Sequence, residues 1–310
     1  MTWLQLRFHA HPDIVEPLED LLLASGCAAV TLKDGADNPI FEPDRGTTPL
    51  WQHTVVVGLY EADQSEQAIV DEVKAGLELP EGTEFPQYKS EILEDKDWER
   101  AWMDHFKPMQ FGRRLWVCPS WHEVPDPQAV NLMLDPGLAF GTGTHATTAL
   151  CLEWLDGLDC QDKTIVDYGC GSGILGIAGL LLGGAHMVGV DNDPQAIRAT
   201  ADNANRNGIP ADQYAVFLPD QYDPSSDQLA SNPQQGQADI VVANILAGPL
   251  VTLAERIVSC LKPGGQIAMS GLLTRHMDEI MLAYAPWIEF QPHGEKEGWI
   301  RLQGVKRSSV

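Results

Sequence analysis

With 310 residues and 44% hydrophobic content, the chain can build one large or two ordinary domains with full cores. No apolar run reaches the ~18 residues of a membrane span. Residues 1–7 show no basic segment ahead of a long apolar run, so a cytoplasmic protein away from the membrane is expected. A formal charge of −24 repels phosphate backbones, which argues against direct nucleic-acid binding, and it attracts basic partners; an acidic proteome explains the charge equally well.

The first ninety residues alternate in a readable way. Residues 3–8 predict a strand, and 13–24 a helix with Ile14, Leu18, Leu21 and Leu22 on one face and Gly26 as its stop. Strands at 28–32 and 54–60 flank a long polar loop over 33–49, and a helix at 65–77 leads to a short strand at 88–93. The order β-α-β-β-α-β predicts a small α+β ferredoxin-like domain over residues 1–93. It carries no catalytic constellation and reads as a recognition or docking module. Trp98, Trp102 and Phe106 then recur every four residues, which places them on one face of a linker helix over 94–108.

Residues 109–310 read as an α/β domain. Short strands are expected at 115–118 and 129–134, then a Gly/Thr loop, Phe140-Gly141-Thr142-Gly143-Thr144-His145, entering a helix at 147–155. The stretch around which the domain is built follows: Thr164-Ile165-Val166-Asp167-Tyr168-Gly169-Cys170-Gly171-Ser172-Gly173. A β-branched run feeds a glycine turn, a small-residue helix follows over 177–183, and a second apolar strand at 187–190 ends on Asp191. Glycines let a backbone approach a ligand, a helix N-terminus offers unpaired N–H groups, and an acid at the strand end can accept both hydroxyls of a ribose. This is a nucleoside-cofactor site, against the blander reading of a packing turn.

Two parsings of the turn compete. Gly171, Gly173 and Gly176 fit G-x-G-x-x-G, the dinucleotide spacing of an NAD-dependent oxidoreductase. Asp167-x-Gly169-x-Gly171-x-Gly173 instead resembles the first motif of Rossmann-like methyltransferases and suits a donor with an amino-acid tail. Beyond the turn, a helix is expected at 194–207, a strand near 214–218 and a polar insert over 219–237. A strand at 239–243 runs into Asn244, followed by a helix at 250–261, the turn Pro263-Gly264-Gly265, a strand at 266–270 and a helix at 274–284. A closing hairpin over 288–302 adds one antiparallel strand to a parallel sheet. The cysteines at 27, 118, 151, 160, 170 and 260 form no C-x-x-C pair and read as buried thiols, with no metal site.

The Phe140–His145 loop, the Asp167–Gly173 turn, Ala243-Asn244-Ile245-Leu246-Ala247-Gly248-Pro249-Leu250 and Leu93-Glu94-Asp95-Lys96-Asp97-Trp98 together resemble the ribosomal protein methyltransferase family PrmA over essentially the whole chain. The resemblance implies a seven-stranded methyltransferase fold, S-adenosylmethionine as methyl donor, and lysine and N-terminal amines of the basic large-subunit ribosomal protein L11 as acceptors. It implies donor contacts at Thr148, Gly169, Asp191 and Asn244. Gly171 joins them as part of the turn, and Phe140 as an aromatic face near the sulfonium. Asn244 is also read as orienting the acceptor amine. Ile245 and Leu246 leave no aromatic to stack a flipped base, which argues against a nucleobase-modifying enzyme. Ala146 departs from the expected residue before the threonine pair. A non-catalytic ribosome-assembly binder is the remaining alternative.

Overall fold

The computed structural model describes residues 2–36, 49–79, 84–93, 106–135, 145–224 and 237–308. The chain divides into two compact units, Met1–His105 and Phe106–Val310. Most of the expected linker helix, 94–105, lies outside the described residues; its last aromatic, Phe106, packs against Trp121 of the second unit with ring centroids 6.4 Å apart.

In the first unit, β1 (Trp3–Ala10), α1 (Pro12–Ala24), β2 (Ala29–Asp34), β3 (Thr54–Glu61), α2 (Glu66–Gly76) and β4 (Tyr88–Leu93) follow in that order. Period-two alternation turns Leu4, Leu6, Phe8 and Ala10 of β1 into the core, where they meet Ile14, Leu18 and Leu22 of α1 and Val70 and Val73 of α2. The sheet order is β2-β3-β1-β4. Every neighbouring pair in it is antiparallel. Ser65 caps α2 by accepting the Ala68 N–H.

The second unit opens with a small sheet of β5 (Met109–Phe111), β6 (Leu115–Cys118) and β7 (Val130–Met133). The sequence pattern does not announce β5, which is three residues long and paired with β6. Its hairpin turn is fastened to the end of α3 (Ala146–Asp156), because Asp156 accepts the N–H groups of Arg113 at 2.6 Å and Arg114 at 3.1 Å.

The main sheet is assembled from β8 (Thr164–Tyr168), α4 (Ile174–Leu181), β9 (His186–Val190), α5 (Pro194–Arg206), β10 (Tyr214–Phe217) and β11 (Ala238–Asn244). The chain continues through α6 (Ala247–Thr252), α7 (Ala254–Ser259), β12 (Leu261–Leu273), α8 (Met277–Tyr284), β13 (Ile288–Lys296) and β14 (Trp299–Lys306). The seven strands lie in the order β10-β9-β8-β11-β12-β14-β13. The first five are parallel, and β14 joins β12 and β13 antiparallel. Helices cover both faces. Ile165, Met187, Ile240 and Val242 pack on the side of α3 and α4, while Val166, Val188, Val241 and Ala243 pack on the side of α6, α7 and α8. Burial on both faces is why these strands read as unbroken apolar runs.

Three elements differ from the sequence pattern for local reasons. The helix expected at 250–261 is two helices parted at Leu253. Thr252 turns its hydroxyl back to the carbonyls of Gly248 and Pro249, a bond that bends helices. The helix expected at 274–284 opens as a 3-10 turn over Thr274–His276. The Pro263-Gly264-Gly265 turn is absorbed into β12 as an irregularity, since its register with β11 shifts between Ala238 and Ile240.

Candidate functional site

The strands diverge from β8. The chain runs outward through β9 and β10 on one side and through β11 and β12 on the other, so β8 and β11 are neighbours with no direct connection. In open α/β sheets the crevice at the carboxyl ends of such strands is the ligand-binding position. Here Gly169 follows β8 and Asn244 ends β11.

The glycine turn is held from several directions. Gly169, Gly171 and Gly173 have φ of 80°, 53° and 78°, the left-handed region. At Gly169 a side chain is excluded twice, because a Cβ would also run into Ile245 Cγ2. At Gly173 a Cβ would lie 2.6 Å from Thr200 Cγ2. The N–H of Gly169 donates to the Val190 carbonyl at 2.7 Å. From α5, Thr200 Oγ1 donates to the Gly171 carbonyl at 3.0 Å and Asn203 Nδ2 to the Ser172 carbonyl at 2.8 Å. Those interactions make the turn a rigid cradle, and Gly173 as N-cap starts α4 three residues earlier than the sequence pattern indicates.

Asp191, just past β9, is partly buried. Its Oδ2 accepts the Gly171 N–H at 2.9 Å and its Oδ1 accepts the Asp193 N–H at 3.0 Å. The carboxylate is thereby fixed in orientation, and each oxygen keeps a lone pair for a further donor. Capping of α5 falls to Asp193, which accepts the Gln195 N–H.

Asp167 lies inside β8 and is 1% exposed. Its Oδ2 accepts the Gly176 N–H of α4 at 2.9 Å, whereas its Oδ1 is buried without a hydrogen-bond partner. Burial drives its pKa up to about 7; the Gly176 N–H opposes that rise and the Asp191 carboxylate adds to it.

On the far side of the crevice, Thr148 is fully buried in the first turn of α3, and its Oγ1 accepts a hydrogen bond from Asn244 Nδ2 at 3.2 Å. His145 is the N-cap of α3, its Nδ1 2.8 Å from Thr147 Oγ1, and its ring meets Trp299 edge-on at 4.8 Å. A loop-ordering role therefore suits His145. Between the two halves, Ile245 wedges its side chain over Gly169 and its carbonyl against Gly271, whose φ is 87°. Of the six residues singled out from sequence, Gly169, Gly171 and Asp191 share one cluster and Thr148 and Asn244 a bonded pair. Phe140 lies outside the described residues. Thr200 and Asn203 are not singled out by the sequence, and Ile245 is read there only for the aromatic it replaces; their roles depend on contacts between segments distant in sequence.

A family model described as Ribosomal protein L11 methyltransferase (PrmA) matches residues 2–307. A protein named Ribosomal protein L11 methyltransferase from Marinomonas sp. (strain MWYL1) is 55% identical over 308 residues, covering 99% of this chain and 100% of the relative. Its namesake from Ectopseudomonas mendocina is 53% identical over 307 residues, with 99% and 100% covered. Among solved structures, the ribosomal protein L11 methylase from Lactobacillus delbrueckii subsp. bulgaricus is similar with a TM-score of 0.55 and 29% identity, covering 65% of this chain and 100% of that one. A match from residue 2 to residue 307, with more than half of the residues shared with full-length relatives, means that the chain belongs to the ribosomal protein L11 methyltransferase family.

Proposed function

We propose that the protein transfers methyl groups from S-adenosylmethionine to lysine and N-terminal amines of ribosomal protein L11. The observation that carries the donor assignment is Asp191, held by the Gly171 and Asp193 N–H groups beside the glycine turn at the switch point of the sheet. The residues present fit the donor. Asp191 has lone pairs for the ribose hydroxyls, the partly exposed backbone of Gly169 and Gly171 can meet the amino-acid tail, and Thr148 with Asn244 closes the opposite wall.

The donor supplies an electrophilic methyl on a sulfonium, so the protein's work is to position, to desolvate and to receive a neutral amine. Asn244 spends its Nδ2 on Thr148, which leaves its carbonyl Oδ1 to accept an N–H of the incoming amine and aim the lone pair. An α-amine titrates near ~8 and a lysine near ~10.4, so a dry crevice that lowers the lysine value favours transfer.

The first unit serves, in this reading, as the ferredoxin-like module that holds the basic substrate. Its β2-β3-β1-β4 order with antiparallel pairs supports that, and the charge of −24 suits a basic ribosomal protein better than a nucleic acid. A cytoplasmic enzyme follows from the substrate. Among the described residues no helix is long and apolar enough to cross a membrane.

Calorimetry tests the donor assignment. The protein should bind S-adenosylmethionine and its demethylated product but not NAD, and Asp191→Ala should weaken binding by the ~1.5–3 kcal/mol of a hydrogen bond to a charged acceptor. Binding of NAD in their place, or unchanged donor affinity in the variant, contradicts it.

A further inference from the structure

The inner face of α5 is unlike that of an ordinary packing helix. Its buried residues are Ala196, Thr200, Asn203 and Ala204, two small and two polar, with no large apolar side chain among them. Thr200 is 0% exposed, and a valine would fill the same space with no hydroxyl to satisfy. The hydroxyl is spent outside the helix. Thr200 Oγ1 donates to the Gly171 carbonyl at 3.0 Å and lies 3.4 Å from Cys170 Sγ. Thr200 Cγ2 packs on the turn as well, 2.6 Å from where a Cβ on Gly173 would stand. One β-branched side chain therefore bonds one glycine of the turn and packs on another.

Gly171 has a φ of 53°, and without a Cβ the peptides on either side of it rotate at little cost. Two residues outside the turn hold it in place. Its N–H donates to Asp191 Oδ2 at 2.9 Å, and its carbonyl accepts from Thr200. Asp191 in turn relies on that N–H for one of its two anchors, the Asp193 N–H being the other. A continuous path of hydrogen bonds thus runs from Thr200 through Gly171 to Asp191. Resting on the donor assignment above, we propose that Thr200 is a positioning residue for the donor: it fixes Gly171 and, through Gly171, the direction in which Asp191 presents its carboxylate to the ribose.

Without the hydroxyl, the Gly171 carbonyl loses its anchor and the residue is free to rotate. Its N–H then leaves Asp191 Oδ2, and the carboxylate keeps only the Asp193 N–H, two residues along the same chain. Asp191 remains present and charged but is no longer aimed, so the donor must order the turn as it binds. The loss of affinity should be about fivefold to tenfold, the size of a single hydrogen bond. It should disappear when Asp191 is absent, because no carboxylate is then left to aim. Asn203 supplies the contrast. It holds the Ser172 carbonyl at 2.8 Å, one residue further on, and so supports the turn without bonding Gly171. Its contribution should be independent of Asp191.

The experiment is a double-mutant cycle read by calorimetry of S-adenosylhomocysteine binding to the full-length protein, with Thr200→Val, Asp191→Ala and the two combined. Thr200→Val should weaken binding about fivefold to tenfold alone, and by less than about twofold in the Asp191→Ala background. Thr200→Ser keeps the hydroxyl and gives up Cγ2, and it should bind within about twofold of wild type. Asn203→Ala should weaken binding by the same factor with Asp191 present or replaced. Should Thr200→Val not fold, Thr200→Ala, which also removes the hydroxyl, goes through the same cycle. Equal losses from Thr200→Val in both backgrounds overturn the proposal. So does a loss in Thr200→Ser as large as in Thr200→Val, or a coupling of Asn203→Ala to Asp191 as strong as that of Thr200→Val. No binding by wild type, or binding by Asp191→Ala as tight as wild type, overturns the donor assignment instead, and the proposal falls with it.

Discussion

Asn244, the last residue of β11, donates its amide N–H to the hydroxyl of Thr148, 96 positions earlier in the chain, at 3.2 Å. That bond fixes which end of the amide remains available to a substrate. Asn244→Ala should therefore lower kcat by tens to hundreds of fold, about 2–3 kcal/mol, while donor affinity changes much less. Thr148→Val should reproduce part of the loss by freeing the amide to rotate, and Thr148→Ser should restore it. Steady-state kinetics beside donor calorimetry read the split; equal losses in both would make Asn244 a donor ligand only.

Gly169 is constrained by conformation and by space. Its φ of 80° costs an L-residue about 1–2 kcal/mol, and a Cβ would strike Ile245 Cγ2. Gly169→Ala should lower Tm and weaken donor binding, while Gly169→Ala with Ile245→Ala should recover the steric part and leave the backbone part. Thermal melts of the two variants and Ile245→Ala alone form the cycle that separates them.

Much of this architecture is legible in the sequence, because it depends on neighbours along the chain. The β-branched run at 164–168, the spaced glycines and Asp191 locate a strand, a turn and a second strand, and each is where the pattern puts it. Strand β5 is not legible, because three residues give no period to count. The break at Leu253 depends on a hydroxyl turning back, which composition does not show. The pairing of Thr148 with Asn244 and the wedge of Ile245 over Gly169 are products of strand order, and no local pattern encodes them. Asp167 is visible as an acid before the turn, but its unbonded oxygen is visible only in the packed core.

Asp167 also sets a direction for stability against pH. Its carboxyl titrates near 3.8 in an open chain and is pushed up to about 7 in the fold, so the folded protein holds a proton that the unfolded chain has released. This contribution is complete below about pH 4 and is lost as pH rises through about 7. For a wholly buried group it is on the order of 4 kcal/mol. Urea unfolding of the ligand-free protein at about pH 5 and pH 8 should show Asp167→Asn gaining stability relative to wild type at the higher pH. An equal difference at both values would contradict the assignment.

Division of labour between the units gives a fourth expectation. Deleting residues 1–93 should leave donor affinity within about twofold, since the donor contacts lie in the second unit, and should abolish methylation of intact L11. Full-length activity should decline as salt screens an acidic enzyme from a basic substrate. Undiminished methylation of L11 by the truncated enzyme would remove the docking role.

The most direct measurement of the central claim is the intact mass of purified L11 after incubation with enzyme and S-adenosylmethionine, followed by mapping of the modified peptides. The account predicts whole methyl increments confined to lysine side chains and the N-terminal amine, with little or no increment from Asn244→Ala enzyme. Unmodified L11 in the presence of an enzyme that binds the donor, or methyl groups on carboxylates, hydroxyls or co-incubated RNA instead of amines, would contradict it.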